Sequence, residues 1–487
     1  MKNFIKNTLC LVLVLALSLS FAACSLLGAE ETKPVMRVPY TQPEYTGETE
    51  AAYVRPEEET EYVNPIDEEV PEVEPDEADL EAAAAASDSD DGADAFSGGD
   101  VTSDMKGNIK PLSWGNINSF DIKSSGMSVS AMRKLCVDFF RYAKTASWTP
   151  DTSISYIRNS KGSEDSMTGG QLYGGLPYVG LSSGNIYRLM DYMGSDGKVK
   201  MSDALTKTSG QLDMSVLRYF GNQCANGAHV GWQRVINSVS KTHTAGMTSK
   251  NGYIPIGTYK YDTSKVKEWS GTYGTDEVCK ENGEQVMFES YAKLQAGDGL
   301  VYYTTAGHVI MASSDAHVEY VAGTNVIDGN KSYITIIDQA QKWEDINGVM
   351  IKSSVDAKVT FQMLYSSHYL PFTFKEFLGT NSVEATKCSF SVSGASATMA
   401  ALTSGTVTCN YAVTDAYIIV KDGAGNQVYK LAVRNSTAWG KNLYMTKAGS
   451  NTDSWGKIPT SGSYTVQVVA QLGTGERPTI YSGKLAF

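Results

Sequence analysis

Gly221-Asn222-Gln223-Cys224-Ala225-Asn226-Gly227-Ala228-His229-Val230-Gly231-Trp232 is the stretch on which the reading of the fold turns. Cys224, Ala228, Trp232, Val235, Ile236 and Val239 recur at helical spacing and fall on one face. Asn222 is a suitable N-cap, which puts Cys224 in the first turn. A helix N-terminus carries partial positive charge and N–H groups outside the helical ladder, and both favour a thiolate over a thiol. The same N–H groups suit an oxyanion formed during acyl transfer. Gly227 and Gly231 are poor helix formers; with Ala225 and Ala228 they make sense where another backbone packs closely. A plainer alternative stands beside this one: a buried structural cysteine that opens a core helix.

Working outward, the next informative element is Ala296-Gly297-Asp298-Gly299-Leu300-Val301-Tyr302-Tyr303-Thr304-Thr305-Ala306-Gly307-His308-Val309-Ile310-Met311. It reads as a Gly-Asp turn, a strand, a short loop and a second strand beginning at His308. Further strands are predicted at 317–322 and 331–339, the last ending in Asp338. A cysteine on a helix, a histidine opening a strand and a carboxylate closing another supply a nucleophile, a base and an orienting group. Taken separately, His308 and Asp338 also read as polar strand ends facing solvent. Upstream, Met132, Leu135, Cys136, Phe139, Phe140 and Ala143 form one apolar stripe between 128 and 146, with Ser128 or Ser130 as cap. Ser182 and Ser183 are read as opening a second helix through Ile186, Leu189, Met190 and Met193.

These pieces together resemble the papain-like NlpC and CHAP (cysteine, histidine-dependent amidohydrolase/peptidase) superfamily of bacterial cell-wall hydrolases. The matching parts are Gln223-Cys224, the Gly-Asp turn ahead of Gly307-His308-Val309, and Ile336-Ile337-Asp338-Gln339. Gly175-Leu176-Pro177-Tyr178 is similar to the tyrosine segment that precedes the nucleophile in such enzymes. The likeness covers roughly 128–345. It implies Cys224 as nucleophile, His308 as base and Asp338 as orienting residue. It also implies that Tyr178 lies near the nucleophile and that Gln223 or the Cys224 amide serves the oxyanion site. Residues 182–215 and 240–290 are then insertions. Tyr253, Tyr259, Tyr261, Trp269 and Tyr273 in the second suit either sugar faces or, on the preferred reading, core packing. Trp343 suits a cleft wall or the core equally. His229 lies off the Cys224 face and is read as solvent-exposed or locally packed. Gly180-Leu181-Ser182-Ser183-Gly184 matches a nucleophile elbow, but helix capping explains its serines.

The chain has 487 residues, enough for two or three domains. Its net charge of −13 argues against a general nucleic-acid binder. The charge is concentrated: residues 28–100 hold 23 acidic and three basic side chains. Lys2 and Lys6 precede an apolar run from Leu9 to Phe21, then Phe21-Ala22-Ala23-Cys24. That pattern is a secretory signal. The small residues before Cys24 resemble a bacterial lipoprotein signal, which implies lipidation at Cys24 and anchoring by acyl chains alone. The acidic, Pro-rich stretch that follows is predicted to be a disordered tether. Seven cysteines with no C-x-x-C pair exclude a disulfide-dense mini-protein and a standard structural zinc site.

Beyond about 385, short alternating strands separated by turn signals predict an immunoglobulin-like β-sandwich. Asp422-Gly423-Ala424-Gly425-Asn426 is its clearest hairpin turn. Cys388 and Cys409 suit either a disulfide across antiparallel strands or two buried thiols. The expected organisation is a signal peptide (1–23), a tether (24–107), an α+β papain-like hydrolase domain (108–380) and an all-β sandwich (385–487). The expected activity is cofactor-free and metal-free cleavage of amide bonds in peptidoglycan stem peptides, at the extracytoplasmic face of the membrane. The competing expectation is a surface binding or adhesion lipoprotein whose papain-like domain is inactive.

Overall fold

A computed structural model describes residues 109–122, 126–157, 164–179, 184–201, 221–263, 266–304, 306–339, 343–379, 383–392, 397–435, 440–446, 458 and 461–487. The expected signal peptide (1–23) and tether (24–107), Cys24, Ser182 and Ser183 lie outside the described residues. The chain divides into two units, Met1–Tyr62 and Val63–Phe487, and every described residue belongs to the second. No helix among the described residues is long and apolar enough to cross a membrane.

The 128–146 stripe becomes a helix, Val129–Thr145, capped by Ser128, whose side chain accepts from Ala131 N. It buries Met132, Cys136, Phe139, Phe140 and Ala143. It also buries Lys144, in its last turn. The chain then enters a small sheet whose strand order is Lys110–Pro111, Ala146–Trp148, Tyr173–Gly174, Val349–Ile351, Glu344–Ile346. Gly175 packs against the end of the helix at φ +70°, where an added Cβ would lie 2.4 Å from Lys144 O. Glycine is therefore required there on two counts.

The larger sheet is antiparallel, in the order Val355–Thr360, Tyr333–Ile337, Gly307–Ala312, Gly299–Tyr303, Leu370–Thr373, Ile254–Pro255. The helix Cys224–Trp232 packs on Gly307–Ala312 and against Val129–Thr145. Gly231 marks the closest approach: a Cβ there would meet Phe140 Cβ at 2.7 Å, Cys136 O at 2.8 Å and Met311 Cε at 2.9 Å. The helix stops at Trp232, so Val235, Ile236 and Val239 join the core from the turn and loop that follow. Residues 317–322 do not form the expected strand. They hold only the isolated bridges His317↔Tyr333 and Tyr320↔Ile327. The helix expected to open at Ser182 is Ile186–Met190, capped by Asn185.

From 388 onward two sheets form. One has the order Cys388–Ser391, Thr406–Cys409, Asn442–Tyr444. The other has the order Ala397–Thr398, Thr479–Ala486, Thr465–Leu472, Val413–Lys421, Gln427–Arg434. Asp422 shapes the hairpin by accepting at Oδ1 from Ala424 N and Asn426 N, both at 2.9 Å, with Gly425 at φ +90°. The strand Thr406–Cys409 ends at the disulfide-bonded cysteine. A helix, Met399–Thr403, precedes it. Cys388 and Cys409 stand opposite each other in register and form a disulfide that closes a separation of 21 residues. Replacing both cysteines by alanine should lower unfolding stability by about 3 kcal/mol, through the restored freedom of the unfolded loop. Urea titration with and without reductant checks this, and an unchanged midpoint would refute it.

Among the described residues no sheet joins 110–373 to 388–486, yet one apolar core includes side chains of both parts. Charges are buried at their junction. Arg188 Nε donates to Asp415 Oδ1 at 2.8 Å, and Arg188 Nη2 reaches Thr414 O and Asn435 O, both at 2.9 Å. Asp191 pairs with Arg434 at 2.7 Å and Lys430 at 3.5 Å, and accepts from Tyr417 Oη at 2.9 Å. Burial alone would raise the Asp191 carboxyl; Lys430, Arg434 and Arg477 together hold it well below the usual carboxylate range.

Candidate active site

Cys224 is the first residue of its helix, and the cap is Gln223 (φ −93°, ψ 175°), not Asn222. The cause is that Asn222 is already committed to an extended ladder. Its N–H donates to Pro177 O at 3.0 Å and its carbonyl accepts from Val179 N at 3.1 Å. This places Tyr178, paired with Asn222 across a parallel bridge, two residues from the cysteine in register. Tyr178 itself is buried. The Gln223 side chain makes no capping bond, and the helical ladder begins only at Gly227 N to Gln223 O, 2.7 Å. The amides of Cys224, Ala225 and Asn226 therefore precede the ladder, at the positive end of the helix.

His308 is the second residue of the strand Gly307–Ala312, and Asp338 immediately follows Tyr333–Ile337. These strands are neighbours, with Met311 opposite Ile337. His308 Nε2 lies 3.3 Å from Asp338 Oδ2. The carboxylate is fixed from its other side, because Oδ1 accepts from Ser354 N at 2.8 Å. Asp338 N in turn donates to Ser354 O at 3.0 Å. With Nε2 donating to the carboxylate, Nδ1 is the ring nitrogen left for another partner, and it is buried without one.

Cys224 and Asp338 act on the same neighbours. The charges of both reach Lys144 and Tyr369. Burial, then those two anionic groups, hold the Tyr369 hydroxyl well above its ordinary value. Sequence reasoning missed Lys144. Its signal was the spacing Cys136, Phe140, Lys144, which continues a buried stripe by fours. Lys144 Nζ donates to Asn222 Oδ1 at 3.2 Å and to Gln339 Oε1. Gln339 Nε2 is anchored on Leu176 O and Lys352 O, each at 3.1 Å. Gly227 leaves room for the ammonium: a Cβ there would lie 3.0 Å from Nζ and 3.3 Å from Gln339 Cβ. Burial pulls the Lys144 pKa down to about 7, against the opposing pull of Asp338 and Cys224.

The other candidates fall elsewhere. Trp343 packs edge-on to Tyr173 at 4.8 Å, with Lys352 Nζ 4.9 Å from its ring centre, in a separate apolar cluster from Cys224. His229 is buried rather than solvent-exposed. Its Nδ1 lies 2.7 Å from Ala225 O and its Nε2 lies 2.9 Å from Tyr253 Oη. Burial drives its pKa down to about 3. Tyr253, Tyr259 and Trp269 are core residues, and Tyr261 and Tyr273 pack against that core. Among the described residues no group of three or more His, Cys, Asp or Glu side chains is placed to hold a metal ion. Cys224 and His308 are 0% exposed and Asp338 is 1% exposed, so the three sit beneath the surface.

Compared with models of known families, with curated proteins and with solved structures, the chain matches none.

Proposed function

We propose that this chain is a cysteine hydrolase of amide bonds, built on a papain-like domain of the NlpC/CHAP kind followed by an immunoglobulin-like sandwich. The observation that carries the reading is the His308 ring, one nitrogen held by Asp338 and the other buried and unpartnered, on a strand against which the Cys224 helix packs, with the Cys224 and Asp338 charges reaching the same Lys144 and Tyr369. Cys224 thiolate attacks the carbonyl carbon, forming a C–S bond while the carbonyl oxygen takes the negative charge. The Cys224 amide, with Gln223, faces that oxygen. The C–N bond breaks as His308 Nδ1–H protonates the departing amine. Water then attacks the thioester, Nδ1 takes its proton, and the C–S bond breaks to release the carboxylic acid and return the thiolate beside the imidazolium. Asp338 holds the imidazole with its proton on Nε2 throughout.

Peptide stems of peptidoglycan are the proposed substrate, and lipidation at Cys24 the proposed attachment to the extracytoplasmic membrane face. Both follow from the N-terminal signal and the family resemblance. A second reading, an inactive lipid-anchored binding protein, draws support from the complete burial of Cys224 and His308. The hydrolase reading requires the cover over the site to open. Digestion of purified sacculi followed by mass spectrometry of the released fragments separates the two. Stem-peptide fragments, with rapid labelling of Cys224 by a thiol-directed electrophile near neutral pH, are the expected result. An unlabelled Cys224 and intact sacculi would leave the binding reading standing.

A further inference from the structure

A thiolate, an imidazolium and a carboxylate sum to −1, and here all three side chains are removed from water. An uncompensated charge in such a place is costly. Among the described residues Lys144 supplies a further cation. Lys144 is fully buried and arrives from a different element, the last turn of Val129–Thr145. Its ammonium is held at both edges of the site: by Asn222, two residues before Cys224, and by Gln339, the residue after Asp338. The glycine at 227 is shaped around it. Phe140 completes the wall, its ring centre 5.0 Å from Nζ.

Resting on the hydrolase reading, we infer that Lys144 is a positioning residue of the reaction. It is a buried cation that brings the ionised site to neutrality, favours the Cys224 thiolate, and ties the start of the cysteine helix to the end of the aspartate strand. The charges it answers are those of Cys224 and Asp338; His308, Tyr369 and Glu344, whose carboxyl burial and then the Asp338 charge raise, are further titratable groups around them. Its depressed pKa sets the direction of the pH response. As pH rises through about 7 the ammonium is lost and the support for the thiolate goes with it. Wall digestion should therefore fall on the alkaline side.

The test uses the full-length protein and iodoacetamide, reading the rate of Cys224 carbamidomethylation against pH in wild type, Lys144→Met and Lys144→Gln. The glutamine variant retains a hydrogen-bonding amide at the uncharged position. In both variants the midpoint of the rate profile should move up by about one pH unit or more, the tenfold slowing at pH 6.5 being the same effect. Folded variants with the wild-type midpoint would overturn the inference while leaving the hydrolase reading intact. A wild type that neither alkylates nor digests wall would overturn both. If neither variant folds, 15N-lysine-labelled wild type carries the test. Carbamidomethylation of Cys224 removes the anion and should lower the titration midpoint of the Lys144 resonance, and an unmoved midpoint would overturn the inference.

Discussion

Cys224→Ala is expected to lower wall digestion at least about a thousandfold, with the thermal unfolding curve within a few degrees of wild type. The substitution removes one buried atom, so the fold should tolerate it. His308→Ala is less informative, because it also strips Asp338 Oδ2 of its partner in a buried setting. Asp338→Asn is the useful companion. It keeps the side-chain shape and the bond from Ser354 N. It also offers the imidazole an amide in place of a carboxylate, so the tautomer that leaves Nδ1 available is no longer favoured. A loss of at least about a hundredfold in kcat, with KM little changed, is expected. Residual digestion in Cys224→Ala near the wild-type rate would end the cysteine mechanism.

The second large effect concerns stability. Asp415→Ala should cost about 3–5 kcal/mol, because it leaves Arg188 buried without its anion. The carbonyls of Thr414 and Asn435, which Arg188 Nη2 also reaches, do not replace that charge. Urea denaturation of the full chain measures this, and a loss under about 1 kcal/mol would contradict the account. Asp191 adds an acid limb. Its folded carboxyl titrates below its unfolded counterpart, so its contribution is complete above the unfolded value near pH ~3.9. That contribution is lost as pH falls through the lower, folded value. Asp191→Asn should flatten the acid limb of the stability profile.

The sequence made periodic features legible and hid those set by tertiary partners. The Val129–Thr145 helix follows from spacings of three and four, and its Ser128 cap from the residue type. Asn222 has the same capping chemistry but does not cap, because residues 177–179 occupy its backbone and Lys144 its side chain. No local pattern announces either partner. Lys144 itself reads as a cation suited to a helix C-terminus. Only its register with Cys136 and Phe140 marks it as buried. Residues 317–322 alternate like a strand, yet Tyr320 and Val321 are exposed in a turn closed by Val321 N to Val326 O, 2.8 Å. The order Cys, His, Asp was readable along the chain; that Asp338 and His308 meet depended on which strands pair.

The ions buried where the C-terminal sheets meet the rest of the chain bear on how such a protein can be rearranged. Arg188 donates to Asp415, Thr414 and Asn435, all beyond residue 410, and Asp191 draws its cations from the same stretch. Cutting the gene near codon 380 would therefore not release a self-sufficient fragment but one with bare charges in an open wound. A recombined chain with a foreign module in that place would have to supply its own aspartate and arginine at matching positions.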